Sequence, residues 1–375
     1  MLFDIVLIRS DSISNDRRVR KIIRSLSKRY SVLVLGWDRE MTNESSEIME
    51  NRVNVRRLRV GAPYGRITLI PFYPLFWVWV FCNLLVYQPK IIHACDLDTL
   101  IPSYFFRLFF SNRVVFDSFD RYAMAFIPPK HHVIYSLVHR LEGLMAYKAD
   151  ALVTVSYKRL STFGNQLPKH SEVVMNCPED MLDMIRNDTR ISSDYGLTLV
   201  HAGGIGWTVG LFLLDEAIKN LDDVRLVLAG RRDDKSTIER LLRNPKIKYV
   251  GLLEHSEALR LEGTADIIPI FYDPALPISR VANPNKLFEA MMLGVPVITN
   301  VCKDIVNGIG CGLVVKYDAN EVRKAILDLK GDFALRRNMG TRGRLAFEKM
   351  YNWAIMEKRL LRLYDKLQPV SNSKL

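Results

Sequence analysis

NPNKLFEAMMLGVPVITN, residues Asn283–Asn300, carries the punctuation of a helix that runs into a buried strand. Asn283 is suited to cap the helix N-terminus, and Pro284 to the first helical position, where a missing N–H is no loss. Leu287, Met291 and Met292 continue an apolar helical face, Gly294 supplies the stop, and Pro296 follows it. VPVIT then reads as a buried parallel strand. Lys286 and Glu289 stand three residues apart, so they share one face within the first two turns. A helix N-terminus with a cation beside it suits a diphosphate. A carboxylate one turn further in can accept two hydroxyl hydrogen bonds, as a ribose diol offers. The plain alternative is a surface Lys–Glu pair on an ordinary α/β helix.

The stretch before it reads LTLVHAGGIGWTVGLFLLDEAIKNL, a strand, a glycine-rich loop and a helix. Gly203, Gly204 and Gly206 let backbone approach a phosphate closely at a helix start, although glycine at such a turn is often only geometry. VRLVLAG (Val224–Gly230) is a further strand with RRDD at its carboxyl end, and IKYVGLL and DIIPIFYDP read as two more. After the opening stretch, CGLVVKY (Cys311–Tyr317) is a last strand. Helices are predicted at Ala319–Leu329, Phe333–Met350 and Trp353–Leu367.

The first half opens on FDIVLI (Phe3–Ile8), a buried strand, then a polar loop and a helix from about Asp16 to Arg29. The loop lies at the carboxyl end of its strand, where open α/β sheets bind ligands, and it has no GxGxxG. Arg17, Arg20, Lys21, Arg24 and Lys28 form a basic stripe at helical spacing. It reads either as a solvated face or as a face towards anionic lipid or an acidic acceptor. SVLVLGW is a second strand, and Arg52–Val60 a third whose alternation points to a sheet edge. In Ile67–Tyr87, Pro71 and Pro74 confine the continuous helix to Leu75–Val86, too short to span a bilayer. That helix is either buried against the sheet or partly sunk in a membrane surface. KIIHACDLDTL and RVVFDSFDRY follow, each a strand with acidic residues at its carboxyl end. The polar run Arg186–Asp194 is the predicted linker.

The length of 375 residues suits two domains, and 49% apolar with 25% charged residues describes a globular chain. Net charge +12 favours phosphate-bearing partners such as nucleotide-sugars or anionic lipid. No nucleic-acid-binding motif accompanies it, so nucleic acid is not an expected partner. Cys82, Cys95, Cys177, Cys302 and Cys311 show neither CxxC nor metal-ligand spacing, as reduced thiols of a cytoplasmic protein would. Asp4 interrupts the first apolar run, which argues against a signal peptide.

The opening stretch resembles the PNK-L-F-E-x-M-x-x-G-x-P-V-I motif of retaining glycosyltransferases of family 4 with the GT-B fold. Ile92–Asp120 resembles their IIHAHDLDTLxPA and LVYDSHE segments, and the resemblance extends over nearly the whole chain. It implies an α/β chain of two Rossmann-like doubly wound domains facing a cleft, with the C-terminal helix crossing back to the first. The expected limits are 1–185 for the acceptor domain, 186–345 for the nucleotide-sugar domain and 346–375 for the returning helix. The donor, UDP- or GDP-linked, is expected at Gly203, Gly204, Arg231, Arg280, Asn285, Lys286, Leu287 and Glu289, with Glu289 on the ribose and Lys286 near the phosphates. Acceptor positions are Asp16, Arg17, Asp96, Asp98 and Phe119, and Glu289, Lys286 and Asp120 carry the catalytic roles. No metal and no cofactor are expected.

Three departures stand out. Phe119 occupies the place of a His that contacts the transferred sugar in many relatives, and a Phe cannot exchange a proton. Gly204 and Val209 stand where relatives hold the diphosphate with Arg and Lys, and Val281 replaces the first Glu of an E-x7-E pair. The expected function is sugar transfer from a nucleotide-sugar to a glycan or lipid-linked acceptor in polysaccharide or glycoconjugate synthesis, in the cytoplasm or peripherally at the inner membrane face. The alternatives are a non-catalytic glycosyltransferase-like scaffold and a GT-B nucleotide-sugar epimerase.

Overall fold

The structure, a computed structural model, describes residues 3–14, 16–49, 53–63, 68–185, 196–232 and 235–367. The predicted linker Arg186–Asp194 lies outside them. Two compact units form: Met1–Asn176 with Met356–Leu375, and Cys177–Ile355.

Unit 1 begins β1 (Ile5–Ile8), α1 (Arg17–Leu26), β2 (Val32–Asp38), β3 (Ser46–Met49) and β4 (Val53–Arg59). It continues α2 (Tyr73–Tyr87), β5 (Ile91–Cys95), α3 (Leu97–Arg107), β6 (Arg113–Ser118) and α4 (Tyr122–Phe126). The run α5 (His132–Lys148), β7 (Ala151–Thr154), α6 (Tyr157–Ser161) and β8 (His170–Val173) follows. The sheet order is β3-β4-β2-β1-β5-β6-β7-β8, parallel throughout except that β3 pairs antiparallel with β4. The predicted edge strand at Arg52–Val60 is therefore second from the edge. The short β3, with its half-exposed pattern, takes the edge instead.

Successive side chains of a strand face opposite ways, and this separates the two helical layers. Val6, Ile8, Leu33, Leu35, Ile92, Ala94, Val114 and Phe116 join one core with Phe76, Val80 and Leu84 of α2, Leu100 of α3 and Met145 of α5. From the other side of β5 and β6, His93 and Asp117 point at α1 and the C-terminal helix. Arg18 of α1 donates to both Asp117 carboxylate oxygens at 2.8 and 3.1 Å and to the Val174 carbonyl at 2.7 Å.

Asp16 caps α1 by accepting from the Val19 N–H at 3.1 Å, one residue before the helix proper. The predicted basic stripe is not simply solvated: Lys21 of α1 donates to Asn176 at 2.8 Å, and Lys28, just past the helix, pairs with Glu357 at 2.7 Å. The adjacent Arg29 pairs with Asp365 at 3.3 Å. Helix α2 starts two residues earlier than expected, since Pro74 is tolerated in a first turn, and a 3-10 turn at Ile70–Phe72 leads into it. It is neither wholly buried nor free. Phe76, Val80 and Leu84 are buried, while Leu75, Val78 and Val86 are exposed.

Unit 2 runs α7 (Leu182–Ile185), β9 (Leu197–Ala202), α8 (Leu211–Ile218), β10 (Val224–Ala229) and α9 (Lys235–Leu241). Then come β11 (Ile247–Tyr249), α10 (His255–Gly263), β12 (Ile268–Ile270), α11 (Asn285–Leu293) and β13 (Val297–Thr299). The unit closes with α12 (Lys303–Ile309), β14 (Gly312–Val314), α13 (Ala319–Gly331) and α14 (Phe333–Met350). Two parallel three-stranded sheets, β11-β10-β9 and β12-β13-β14, meet through a parallel bridge between Leu199 and Ile267. The strand order reverses between β9 and β12, with all strands still parallel, and this is a switch point, where doubly wound sheets take ligands at strand carboxyl ends.

The last helix, α15 (Trp353–Leu367), belongs to unit 1 from Met356 onward. Its Tyr364 is fully buried, with the hydroxyl 2.6 Å from His93 Nδ1 and the ring stacked on the imidazole. Tyr364→Phe leaves that imidazole nitrogen buried without its partner. The expected loss is about 1–3 kcal/mol of unit 1 stability, read from the denaturant midpoint; an unchanged midpoint would show that the bond contributes nothing.

Candidate functional site

In unit 2 the glycine-rich loop after β9 is held against the loop after β10. The Gly203 N–H donates to the Ala229 carbonyl at 2.8 Å and the Ile205 N–H to the Arg231 carbonyl at 2.9 Å. Gly230 closes this contact. Its φ is +132°, and a Cβ there would stand 1.8 Å from the Gly203 carbonyl oxygen, so only glycine fits.

Helix α11 starts at Asn285, with Pro284 as the cap residue and no side-chain cap. The expected cap, Asn283, is instead buried in the loop below, where its amide oxygen receives Cys302 Sγ at 3.7 Å. Gly294 ends the helix in the left-handed conformation at φ 69°, as its sequence position requires. Lys286 therefore sits in the first turn, where the helix dipole disfavours a cation. Its side chain is only 12% exposed. Nζ donates to the Ala202 carbonyl, lies 3.7 Å from the buried Glu262 carboxylate, and would touch a Gly203 Cβ at 3.2 Å. Burial pulls the Lys286 ammonium below its ordinary pKa, against the opposing charges of Glu262 and Glu289. Burial, with Lys286 adding, drives His201 down to about 3, so its imidazole is neutral at any physiological pH. Glu289 is half-buried one turn further along, Asn285, Arg231, Arg280 and Gly204 are exposed, and Leu287 is buried in the core.

Unit 1 presents a second cluster at its strand carboxyl ends. Arg9, in the loop after β1, pairs with Asp16 at 3.1 Å and with Asp96. Ser10 donates to Asp98. Asp96 adopts φ +69°, uncommon for a residue with a side chain, and accepts from the Phe119 N–H at 2.9 Å. Burial pushes Asp96 up to about 6 although Arg9 opposes it, and burial raises Asp98 against Ser10 and Arg9. Backbone strain and raised carboxyl pKa values together mark functional sites.

Part of this cluster borders a cavity of about 720 Å³. Arg9, Ser10, Asp96 and Asp98 give it a polar end; Tyr73, Trp77, Ile134 and Leu141 give it apolar walls. Phe119 lies between two guanidinium groups, with Arg9 4.5 Å and Arg18 4.9 Å from its ring centroid. Asp120 pairs with Arg159 at 2.6 Å and keeps 42% of its side chain exposed. Arg121 is buried with Glu142 at 3.5 Å and lies 3.9 Å over Phe163. Burial lifts Glu142 to about 7, which Arg121 only partly counters. Arg17 is exposed on α1, beyond the Asp16 cap.

Asp16, Asp96 and Phe119 thus converge on Arg9, while Gly203 and Lys286 converge in unit 2. Arg9, Ser10, His201 and Glu262 were not singled out from the sequence. The first two stand directly after β1, where a ligand-binding loop was expected; nothing in the local sequence distinguishes Glu262. Among the described residues no group of three or more His, Cys, Asp or Glu is placed to hold a metal ion.

Residues 196–332 match the family model described as Glycosyl transferases group 1. A curated relative is the GDP-mannose-dependent monoacylated alpha-(1-6)-phosphatidylinositol monomannoside mannosyltransferase of Corynebacterium glutamicum. It is 28% identical over 156 residues, which is 39% of this chain and 40% of the relative. Sucrose-phosphate synthase from Thermosynechococcus elongatus is structurally similar with TM-score 0.79 at 17% identity, over 97% of this chain and 98% of that one. Anabaena HepE in complex with UDP and glucose is similar with TM-score 0.72 at 13% identity, over 97% of this chain and 99% of that one. At such identities the likeness concerns the fold, which is the α/β fold of the GT-B glycosyltransferases.

Gly230→Ala tests the loop-to-loop contact. The added methyl cannot coexist with the Gly203 carbonyl, so the loop must move and unit 2 should lose about 1–3 kcal/mol or more. A variant with wild-type stability and wild-type exchange protection at the Gly203 amide would contradict this.

Proposed function

We propose that the chain transfers a glycosyl group, with retention, from a nucleoside diphosphate sugar held by unit 2 to a hydroxyl of an acceptor held by unit 1. The observation that carries this reading is Lys286. A cation buried in the first turn of a helix, against a glycine loop at a sheet switch point, is badly placed for stability and well placed for a diphosphate. The segment matching the glycosyl transferases group 1 model contains Gly203, Lys286 and Glu289.

In the proposed step the bond from the anomeric carbon to the diphosphate oxygen breaks. The acceptor oxygen bonds to the same face of that carbon, and the acceptor proton leaves with the diphosphate. Lys286, the α11 N-terminus and the exposed Arg231 and Arg280 take up the charge that grows on the leaving group. Glu289 accepts the ribose hydroxyls. Phe119 cannot supply the polar contact of a His, and Asp117 and Arg121 are locked in buried ion pairs. Of that segment's polar residues Asp120 keeps an exposed side chain, so the polar contact with the sugar is assigned to it. The relative's GDP-mannose and the UDP held by HepE support a UDP- or GDP-linked donor, and the phosphatidylinositol monomannoside in the relative's name supports a lipid-borne acceptor. Cell-surface glycoconjugate synthesis at the cytoplasmic membrane face is the setting this implies. Charge compensation by these cations requires no metal, and transfer that stops on adding chelator would refute that part.

Glu289→Ala removes a charge-assisted acceptor worth roughly 1.5–3 kcal/mol. Calorimetric titration with UDP and GDP should show about 10- to 100-fold weaker binding of the accepted nucleotide, with the fold retained. Equal affinity would remove Glu289 from the site.

Lys286→Ala should act mainly on the turnover of transfer, because the diphosphate charge develops as the sugar leaves. If wild type neither binds nucleotide nor releases nucleoside diphosphate from any UDP- or GDP-sugar, the scaffold reading motivated by Phe119, Val209 and Val281 replaces this one.

A further inference from the structure

We infer that unit 1 docks on an anionic lipid bilayer through the face made by α2, the end of α3 and α5. The segment Ile70–Tyr87 has a mean hydropathy of 1.6, yet only 28% of it is buried. Val78 and Val86 of α2, Phe109 beyond α3, and Val133 and Leu137 of α5 are each 62–70% exposed. They stand on three helices of the same sheet face, so they form one surface rather than scattered points.

The exposed charges on α5 and its leading turn have one sign. Between residues 68 and 148 the acidic side chains are Asp96, Asp98, Asp117, Asp120 and Glu142. Four of them are buried, and Asp120 pairs with Arg159. Lys130, Arg140 and Lys148, on α5 and its leading turn, are exposed. An apolar face whose exposed charges on α5 and its leading turn are all cations complements an anionic interface better than a protein partner of mixed charge. Helix α2 has 15 residues, about 22 Å, against a hydrocarbon core of about 30 Å, and its inner face is fixed in the unit 1 core. It lies in the interface and does not span it.

This places the membrane on the sheet face opposite α1, where Lys28 and Arg29, just past that helix, are engaged by Glu357 and Asp365. The cavity opens on the same side as the docking face, since Ile70, Ile134 and Leu141 line it and are 42–59% exposed. A lipid-borne acceptor would enter there and meet Asp96 and Asp98. That last step rests on the proposed transfer; the docking does not.

The test is flotation of the full chain with vesicles of phosphatidylcholine alone or mixed with phosphatidylglycerol, at low and high salt. Wild type should float with the anionic vesicles, and raised salt should weaken this several-fold without abolishing it. A Val78→Glu, Leu137→Glu double variant, altered only at exposed positions, should lose at least tenfold in bound fraction at an unchanged melting temperature. Arg20→Glu on α1 should float like wild type. The inference is overturned if wild type stays soluble, if the double variant floats unchanged, or if Arg20→Glu alone abolishes binding. It is also overturned if wild type without lipid is a dimer that the double variant dissociates, since a second copy then covers the face. Nucleotide titration, which needs no lipid, reports separately on the transfer reading.

Discussion

A single buried carboxylate ties the first unit together. Asp117 receives the Arg18 guanidinium from α1 and faces His93 Nε2 at 3.4 Å, while His93 reaches Tyr364 of α15 through its other nitrogen. Burial alone would raise the Asp117 pKa, but Arg18 and His93 outweigh it and hold the group ionised. A buried ion pair of this kind adds little net stability, yet removing one partner strands the other in low dielectric, typically at about 3–5 kcal/mol. The network therefore fixes where α1 and α15 sit more than how strongly they hold.

The same Arg18 accounts for the aromatic residue at position 119. The ring lies between the Arg9 and Arg18 guanidinium groups, each within cation–π distance of its centroid. Two cations favour a neutral, electron-rich face, and a protonated imidazole there would be repelled from both sides. Phe119 is held in place by its charged neighbours. Unit 2 solves a related problem with backbone alone. Gly203 and Gly230 touch without side chains, which leaves the Lys286 ammonium as the charge at their contact.

Much of this architecture was legible in the sequence because parallel strands buried on both faces read as unbroken apolar runs: IVLI, IIHAC and VIT all fall in strands. The stop at Gly294 was legible because few other residues accept its backbone angles. The β3 strand was not, since four half-exposed residues carry no periodic signal. Asn283 misled because its side chain found Cys302 in space instead of the helix start. Arg9, Ser10 and Glu262 act through partners 87, 88 and about two dozen positions away, and such pairings leave no trace in a local motif. Which face of α2 stays uncovered was equally hidden, because its apolar residues encircle the helix.

The return of α15 has a consequence for synthesis. Residues up to Asn176 complete every strand of the unit 1 sheet, but the lid over His93 arrives only with Tyr364. At about 5–20 residues per second on the ribosome, that interval is on the order of ten to forty seconds. Throughout it the nascent sheet carries an uncovered imidazole beside a buried carboxylate, and unit 2 is made in the meantime. The first sheet is sealed by α15, so a chain broken before that helix would have every strand in place and one face of its first sheet open.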